Sequence, residues 1–284
     1  MKKQKNSSAW MALPLYIFTI VFVICPLLYV VALSFATPNR GYGVTWTFTL
    51  DNYKNILEPV YLNTFVESLK LALTSTAAIV LIGYPFGYFM AKLPEHRKKK
   101  AHLLLTLPFW VNSLIRLYGW IIILQKKGLL NFVLMKLGLI KKPLAILYSY
   151  PAIVVGMIYV LLPFMIMSVY SSAEKLDWSY VEAARDLGAS RVQAFFTVTL
   201  KLTLPGLLSG VILTFVPSMG LFFIADILGG NKIVLVGSLI QDQMTRGSNW
   251  PFAAALAVVM MVLTTVMIMI YRKVSNAREL EGIG

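Results

Sequence analysis

The chain has 284 residues, 58% of them apolar and only 13% charged, with 26 lysines and arginines against 12 aspartates and glutamates and a formal net charge of +14. A soluble domain carries about twice that share of charge, so the composition excludes a water-soluble globular protein. In so apolar a chain the basic excess reads as a membrane-orientation signal, and nucleic acid is not the expected partner.

A bilayer core of about 30 Å needs roughly 20 apolar residues at ~1.5 Å each. Six runs of that order occur, at 11–35, 64–91, 102–124, 148–170, 204–225 and 252–271, and they predict six transmembrane helices. Lipid offers backbone groups no hydrogen-bond partner, and these runs are twice as long as a barrel strand. The fold class is therefore all-α and integral to the membrane, and a β-barrel is excluded.

The first run follows Lys2, Lys3 and Lys5 but is longer than the apolar stretch of a cleavable signal, so it is expected to remain as an anchor. Cys25, the only cysteine, allows no intrachain disulfide and no thiol–metal cluster, and is expected to be a small buried apolar residue. With the N-terminus inside, 15 lysines and arginines fall in the inner segments and nine in the outer ones, five of those nine at 125–147. The bias predicts both termini in the cytoplasm.

In the second run Gly83 and Gly87 stand four apart, as do Gly206 and Gly210 in the fifth. That spacing predicts close helix contact, with a kink at Pro85. The basic residues at 96–100 predict a cytoplasmic loop held near anionic lipid. Residues 128–138, apolar on most faces but too short to span, predict a segment lying along the outer interface.

The longest polar interruption lies between the fourth and fifth runs, where the chain reads DWSYVEAARDLGASRVQ from Asp177. Ser179 and Glu182 have the spacing of a capping box, Gly188 suits a left-handed helix end, and Ser190 with Gln193 repeats the box. Two short helices meeting at an elbow are predicted. Val181, Ala184 and Leu187 give the first of them an apolar face that needs a partner, and Pro205 is expected where the fifth span begins.

Glu182-Ala183-Ala184, then Gly188 and finally Leu204-Pro205, together resemble the EAA loop of binding-protein-dependent ABC permeases. The likeness extends to Thr49–Tyr53, Leu107–Arg116, Pro217–Phe222 and Asn249–Phe252, which resemble the B-type permease of the spermidine/putrescine family. The resemblance implies a type I importer permease fold of the MetI-like kind. It implies residues 1–63 as a first span with an outer loop, 64–272 as the permease domain with its coupling loop at 171–203, and 273–284 as a cytoplasmic tail. Glu182, Ala183, Ala184, Gly188, Leu204 and Pro205 would then couple this chain to an ATPase. The implied partners are a second, different permease, two ATP-binding subunits and an external polyamine-binding protein.

No GxxxxGK[ST] run is present, so ATP and Mg are expected to be used by the partner ATPase and no cofactor is expected on this chain. His96 and His102 lack metal-ligand spacing, and no catalytic residue is expected. A polyamine crossing a low-dielectric passage needs carboxylates and aromatic faces in place of water. Asp226, Asp242 and Glu67 are the acidic candidates, Glu67 having Lys70 one turn away. Trp110, Tyr118, Tyr159 and Phe222 offer cation–π faces, and each also fits a packing or belt role. Arg116, placed in a span, is expected to be structural and paired with an acid such as Asp226. The alternatives are an ABC permease for another small solute and a secondary transporter in which the elbow's spacing is accidental.

Overall fold

The computed structural model describes residues 13–39 and 43–281. Lys2, Lys3, Lys5, Met11, Arg40 and residues 282–284, on which parts of the orientation, first-span and tail expectations rest, lie outside the described residues.

In chain order the elements are α1 (Leu13–Ser34), the paired strands β1 (Thr37–Pro38) and β2 (Val44–Thr45), α2 (Asp51–Ile56), α3 (Pro59–Ala91) and α4 (Glu95–Thr106). There follow α5 (Ser113–Leu124), α6 (Leu129–Lys136), α7 (Tyr150–Glu174) and α8 (Ser179–Asp186). The series closes with α9 (Arg191–Gly220), α10 (Phe222–Gly229), α11 (Val236–Thr245) and α12 (Trp250–Glu281). Six stretches among the described residues are long and apolar enough to cross a membrane: α1, α3, α5 with α6, α7, α9, and the part of α12 at Trp250–Tyr271. The strands pair antiparallel, Thr37 with Thr45 and Pro38 with Val44.

The chain divides into two compact units, residues 1–63 with 239–266, and residues 64–238 with 267–284. In the first unit the end of α1 is tied to the loop after it. Asn52, itself buried, donates through Nδ2 to the carbonyls of Ser34 and Ala36, both at 2.9 Å. Tyr53 Oη lies 2.7 Å from Ser34 Oγ, and the Phe35 ring stacks on Phe48. Leu33, Ala36 and Ala254 form the small buried core of this unit.

The second unit is organised around α7. Ala152, Ile153, Met157, Leu161, Met165, Val169 and Ala173 are all buried along it. Two helices approach α7 at glycines. A Cβ on Gly87 of α3 would lie 2.7 Å from the Ile166 carbonyl oxygen, and one on Gly206 of α9 would lie 2.7 Å from that of Ser168. Gly83 and Gly210 both pack on the Met165 side chain, so both glycine pairs make the close contact their spacing predicts. Buried hydrogen bonds add cross-ties: Tyr84 Oη to Thr203 Oγ1 at 2.8 Å, and the Val236 amide to Ser68 Oγ at 2.9 Å. Toward its first turns α7 receives α10, where Gly156 makes room for Ile224 and Leu228.

Several boundaries differ from expectation. The run 102–124 is not one helix. Pro108 sits in a 3-10 turn, Leu107–Trp110, Val111 is extended (φ −105°, ψ 137°), and Asn112 then caps α5 by accepting from the Leu114 amide at 2.8 Å. A proline that lacks an N–H, followed closely by a strong N-cap, ends one helix and starts another. The basic residues 96–100 consequently lie in α4 and not in a loop.

The fifth helix begins well before residue 204, at Arg191, and Pro205 is inside it. The dense contact of Gly206 with α7 favours an unbroken helix despite the missing donor. It stops at Gly220, because Leu221 turns out of helical geometry (ψ 58°), so Ala225 belongs to α10. Cys25 is exposed on α1, where expectation had it buried. Residues 20–28 are exposed all round, and a small apolar residue on a lipid-facing helix gains nothing from burial within its own chain.

The glycine contacts differ in what can yield. Gly87→Val and Gly206→Val push into backbone carbonyls and are expected to cost about 1–3 kcal/mol or more, with a large loss of folded, monodisperse protein. Gly83→Ala meets the Cγ and Cβ of Met165 and the Leu162 side chain but no backbone atom, and is expected to be milder than either valine variant in the same solubilisation and thermal-stability assay.

Candidate functional site

The elbow after α7 is an exposed polar segment of the second unit. Its helix α8 begins one residue earlier than the Ser179 spacing implies: Trp178 is the N-cap residue, and Asp177 Oδ1 accepts the Ser179 amide at 3.0 Å. The capping box expected of Ser179 and Glu182 is replaced by this Asp177 contact, because a carboxylate outcompetes a hydroxyl for the first free amides. The Ser179 amide, and secondarily its side chain, hold the Asp177 carboxyl below the ordinary value of 3.8. Its contribution is thus present above that value and is lost only as pH falls through the lower folded one.

At its other end α8 closes as a Schellman motif. The Gly188 amide donates to the Arg185 carbonyl and the Ala189 amide to that of Ala184, both at 3.0 Å, with Gly188 at φ 92°. Two residues on, Ser190 and Gln193 form the full capping box that starts α9: the Gln193 amide donates to Ser190 Oγ at 3.2 Å and the Ser190 amide to Gln193 Oε1 at 2.9 Å. The turn between α8 and α9 is therefore fixed from both sides.

What α8 presents outward is mixed. Glu182, Ala183, Arg185, Asp186 and Leu187 are exposed, Leu187 at 89%, whereas Val181 and Ala184 are half-buried toward the start of α9. The expected apolar face of Val181, Ala184 and Leu187 is thus split, since α8 already uses two of the three to pack on its own elbow. Glu182, Arg185, Asp186, Ala189, Ser190 and Arg191 line an open depression of about 490 Å³ beside it. Charged walls with one bare leucine at the rim suit a protein partner. Leu204 and Pro205 lie inside α9, apart from the exposed elbow.

Of the residues considered for a cation pathway, Asp242 belongs to the first unit and the others to the second. Asp226, half-buried on α10, accepts from Ser238 Oγ at 3.0 Å. Glu67 is paired with Lys70 at 2.8 Å, and Asp242 with Arg246 at 3.5 Å. Trp110 and Tyr118 are 76% and 58% exposed on the chain alone. Phe222 packs beside Gly237. The face of Tyr159 is already occupied: the Arg116 guanidinium carbon lies 5.3 Å from its centroid and 5.8 Å from that of Phe109. Arg116 Nε is buried without a hydrogen-bond partner, while α5 and α10, which carry Arg116 and Asp226, pack together.

Sequence reasoning missed the aromatic cluster behind the elbow, in which Tyr88 meets Trp178, Phe195 and Phe89 edge-on, and Tyr84 meets Phe195. These residues come from α3, the elbow and the start of α9, and no local periodicity joins them. Phe195 is the first residue of a π-helical turn, Phe195–Thr199, near the start of α9.

Residues 83–279 match the family model described as binding-protein-dependent transport system inner membrane component. The chain is 43% identical over 257 residues to the spermidine/putrescine transport system permease protein PotB of Escherichia coli (strain K12), covering 90% of this chain and 94% of that one. It is 41% identical over 257 residues to the PotB protein of Haemophilus influenzae, covering 90% of each. In fold it is similar to a chain of a bacterial alginate ABC transporter solved with an alginate-bound periplasmic protein, with a TM-score of 0.73, 16% identity, and 97% and 96% of the two chains covered. A chain of the MetNI methionine ABC transporter matches with a TM-score of 0.57 and 18% identity, covering 78% of this chain and 98% of that one.

Gly188 lies in open space, so substitution there meets only the backbone cost of a positive φ, of order 1–2 kcal/mol for a residue with a Cβ. Asparagine tolerates this region best. The expected order of damage, measured as thermal stability of the purified protein, is Gly188→Asn below Gly188→Ala below Gly188→Val.

Proposed function

The chain belongs to the family of binding-protein-dependent transport system inner membrane components, and from that premise we propose that it is the permease subunit of an ATP-driven importer of spermidine and putrescine. The observation that carries the substrate class is the 41–43% identity to polyamine permeases along nine-tenths of the chain. The chain is a translocation subunit and not an enzyme, and it resides in the inner membrane as a multi-pass protein. In this reading both termini are cytoplasmic, in keeping with the distribution of lysine and arginine. The assembly contains a second, different permease, two ATPase subunits that bind ATP and Mg, and an external binding protein.

The α8 elbow is the coupling element. Glu182 and Ala183 face the ATPase, Ala184 seats α8 on the start of α9, Gly188 and the Ser190 box hold the turn rigid, and Leu204 and Pro205 belong to the long helix that receives the motion. A rigid short helix continuous with a packed bundle transmits displacement instead of absorbing it. Each unit offers a polyamine carboxylates that are only lightly committed, Glu67 and Asp226 in the second and Asp242 in the first. The Glu67–Lys70 and Asp242–Arg246 pairs are exposed and adjacent on their own helices, a class worth about 0–1 kcal/mol, so an incoming ammonium displaces the native cation at small cost. Asp226 adds a carboxylate oriented by Ser238, and Trp110, Tyr118 and Phe222 add aromatic faces. Tyr159 serves Arg116, whose charge repels a polycation. Its role, with Asp226 on the neighbouring helix, is structural.

With the reconstituted transporter, polyamine-loaded binding protein is expected to stimulate ATP hydrolysis above the empty protein, and Gly188→Asp or Glu182→Lys to abolish that stimulation. Stimulation by a different solute's binding protein instead would overturn the substrate assignment. Arg116→Ala is expected to lower the amount of folded protein or the transport rate while leaving the spermidine-to-putrescine preference intact. Normal assembly with an altered preference would refute the structural role.

A further inference from the structure

The root of the elbow, residues 175–178 between α7 and α8, has no regular structure of its own. Left to itself it would swivel, however rigid the Gly188 side is. Two lysines from the basic stretch after α3 reach it from outside.

Lys92 Nζ lies 4.3 Å from the Tyr88 centroid and 4.6 Å from that of Trp178, with those two rings 5.8 Å apart at 64°. One ammonium is shared between the last turns of α3 and the residue that N-caps α8. Lys98 of α4, whose side chain is only 16% exposed, donates to Glu174 Oε1 at 3.1 Å, and Glu95 Oε2 stands 4.0 Å away. Glu174, the last residue of α7, also accepts from the Tyr170 hydroxyl, and the Tyr170 ring meets His102 of α4 edge-on at 4.6 Å. Lys99 and Lys100 beside them carry the same charge, are exposed, and make no ion pair or ring contact among the described residues.

We propose that Lys92 and Lys98 are positioning residues for coupling: they clamp the root of the elbow to α3 and α4, so that displacement of α8 moves the helices and is not spent in the loop. The inference rests on the reading of α8 as the coupling element. A charge that only fixed topology would act through its number and side of the membrane, and Lys99 and Lys100 would then serve as well as Lys92 and Lys98. A clamp depends on which lysine is removed.

The test compares Lys92→Gln, Lys98→Gln, Lys92→Arg and the double variant Lys99→Gln/Lys100→Gln in the complete reconstituted transporter. It reads ATPase retention, ATP hydrolysis, and polyamine transported per ATP. In Lys92→Gln and Lys98→Gln, transport per ATP is expected to fall by about 3- to 10-fold with the ATPase still bound, the size expected for loss of contacts of this strength. Lys92→Arg, which keeps a cation on the rings, is expected to restore most of it, and the double variant to behave as wild type. Unchanged coupling in the two single glutamine variants would sink the clamp while leaving the importer reading intact. So would an equal loss of inserted protein in every glutamine variant, which would return the lysines to a topological role. A wild-type complex that neither holds an ATPase nor responds to loaded binding protein would sink the coupling reading itself, and the clamp with it.

Discussion

The second unit depends on how closely α3 and α9 approach α7. In lipid there is no hydrophobic drive to press helices together, so association rests on van der Waals contact and on the few polar groups that meet. At Gly87 and Gly206 the facing atoms are backbone carbonyls of α7, a distance that no residue with a side chain permits. Once those contacts exist, Met165 fills the space between Gly83 and Gly210, and Tyr84 and Thr203 come within hydrogen-bond reach. Rigidity in this unit is thus a consequence of missing side chains.

That rigidity is what the coupling role proposed for the elbow draws on. α7 ends at Glu174, α8 starts at Ser179, and α9 starts at Arg191, so the helices on either side of the elbow, α7 and α9, pack closely on each other. Motion imposed on α8 arrives at both of them at once. The first turns of α7 and the residues just before them are engaged elsewhere, by α10 at Gly156 and by the Tyr148 amide on the Leu228 carbonyl at 2.9 Å.

Much of this was legible in the sequence, and the reason is locality. Span number follows from run length, the αL turn at Gly188 from a glycine after a short helix, and the Ser190 box from a spacing of three. Each is decided within a turn or two of chain. The failures are of two kinds. Boundaries moved where competing local signals overlapped, as at Pro108 and Asn112, or at Asp177 against Ser179. Contacts were missed where partners lie far apart in sequence, as for Lys92 with Trp178 and Lys98 with Glu174, because side-chain type alone does not tell a clamping lysine from its solvated neighbours.

The same distinction applies to the basic charge as a whole. A count of lysines and arginines by segment predicts which way a chain is threaded, and any of them counts equally. Position divides them. Arg116 spends its charge on two aromatic faces, Lys70 and Arg246 on carboxylates of their own helices, and Lys98 on a carboxylate of another helix, while Lys99 and Lys100 remain in solvent. The long side chain lets lysine serve both needs, with the ammonium held at the membrane edge and the stem reaching a neighbour. A bundle whose helices are uniformly apolar has few other polar groups with which to fix the rotation of one loop against another. In the proposed clamp, two of the charges that count toward threading, Lys92 and Lys98, also pin the elbow.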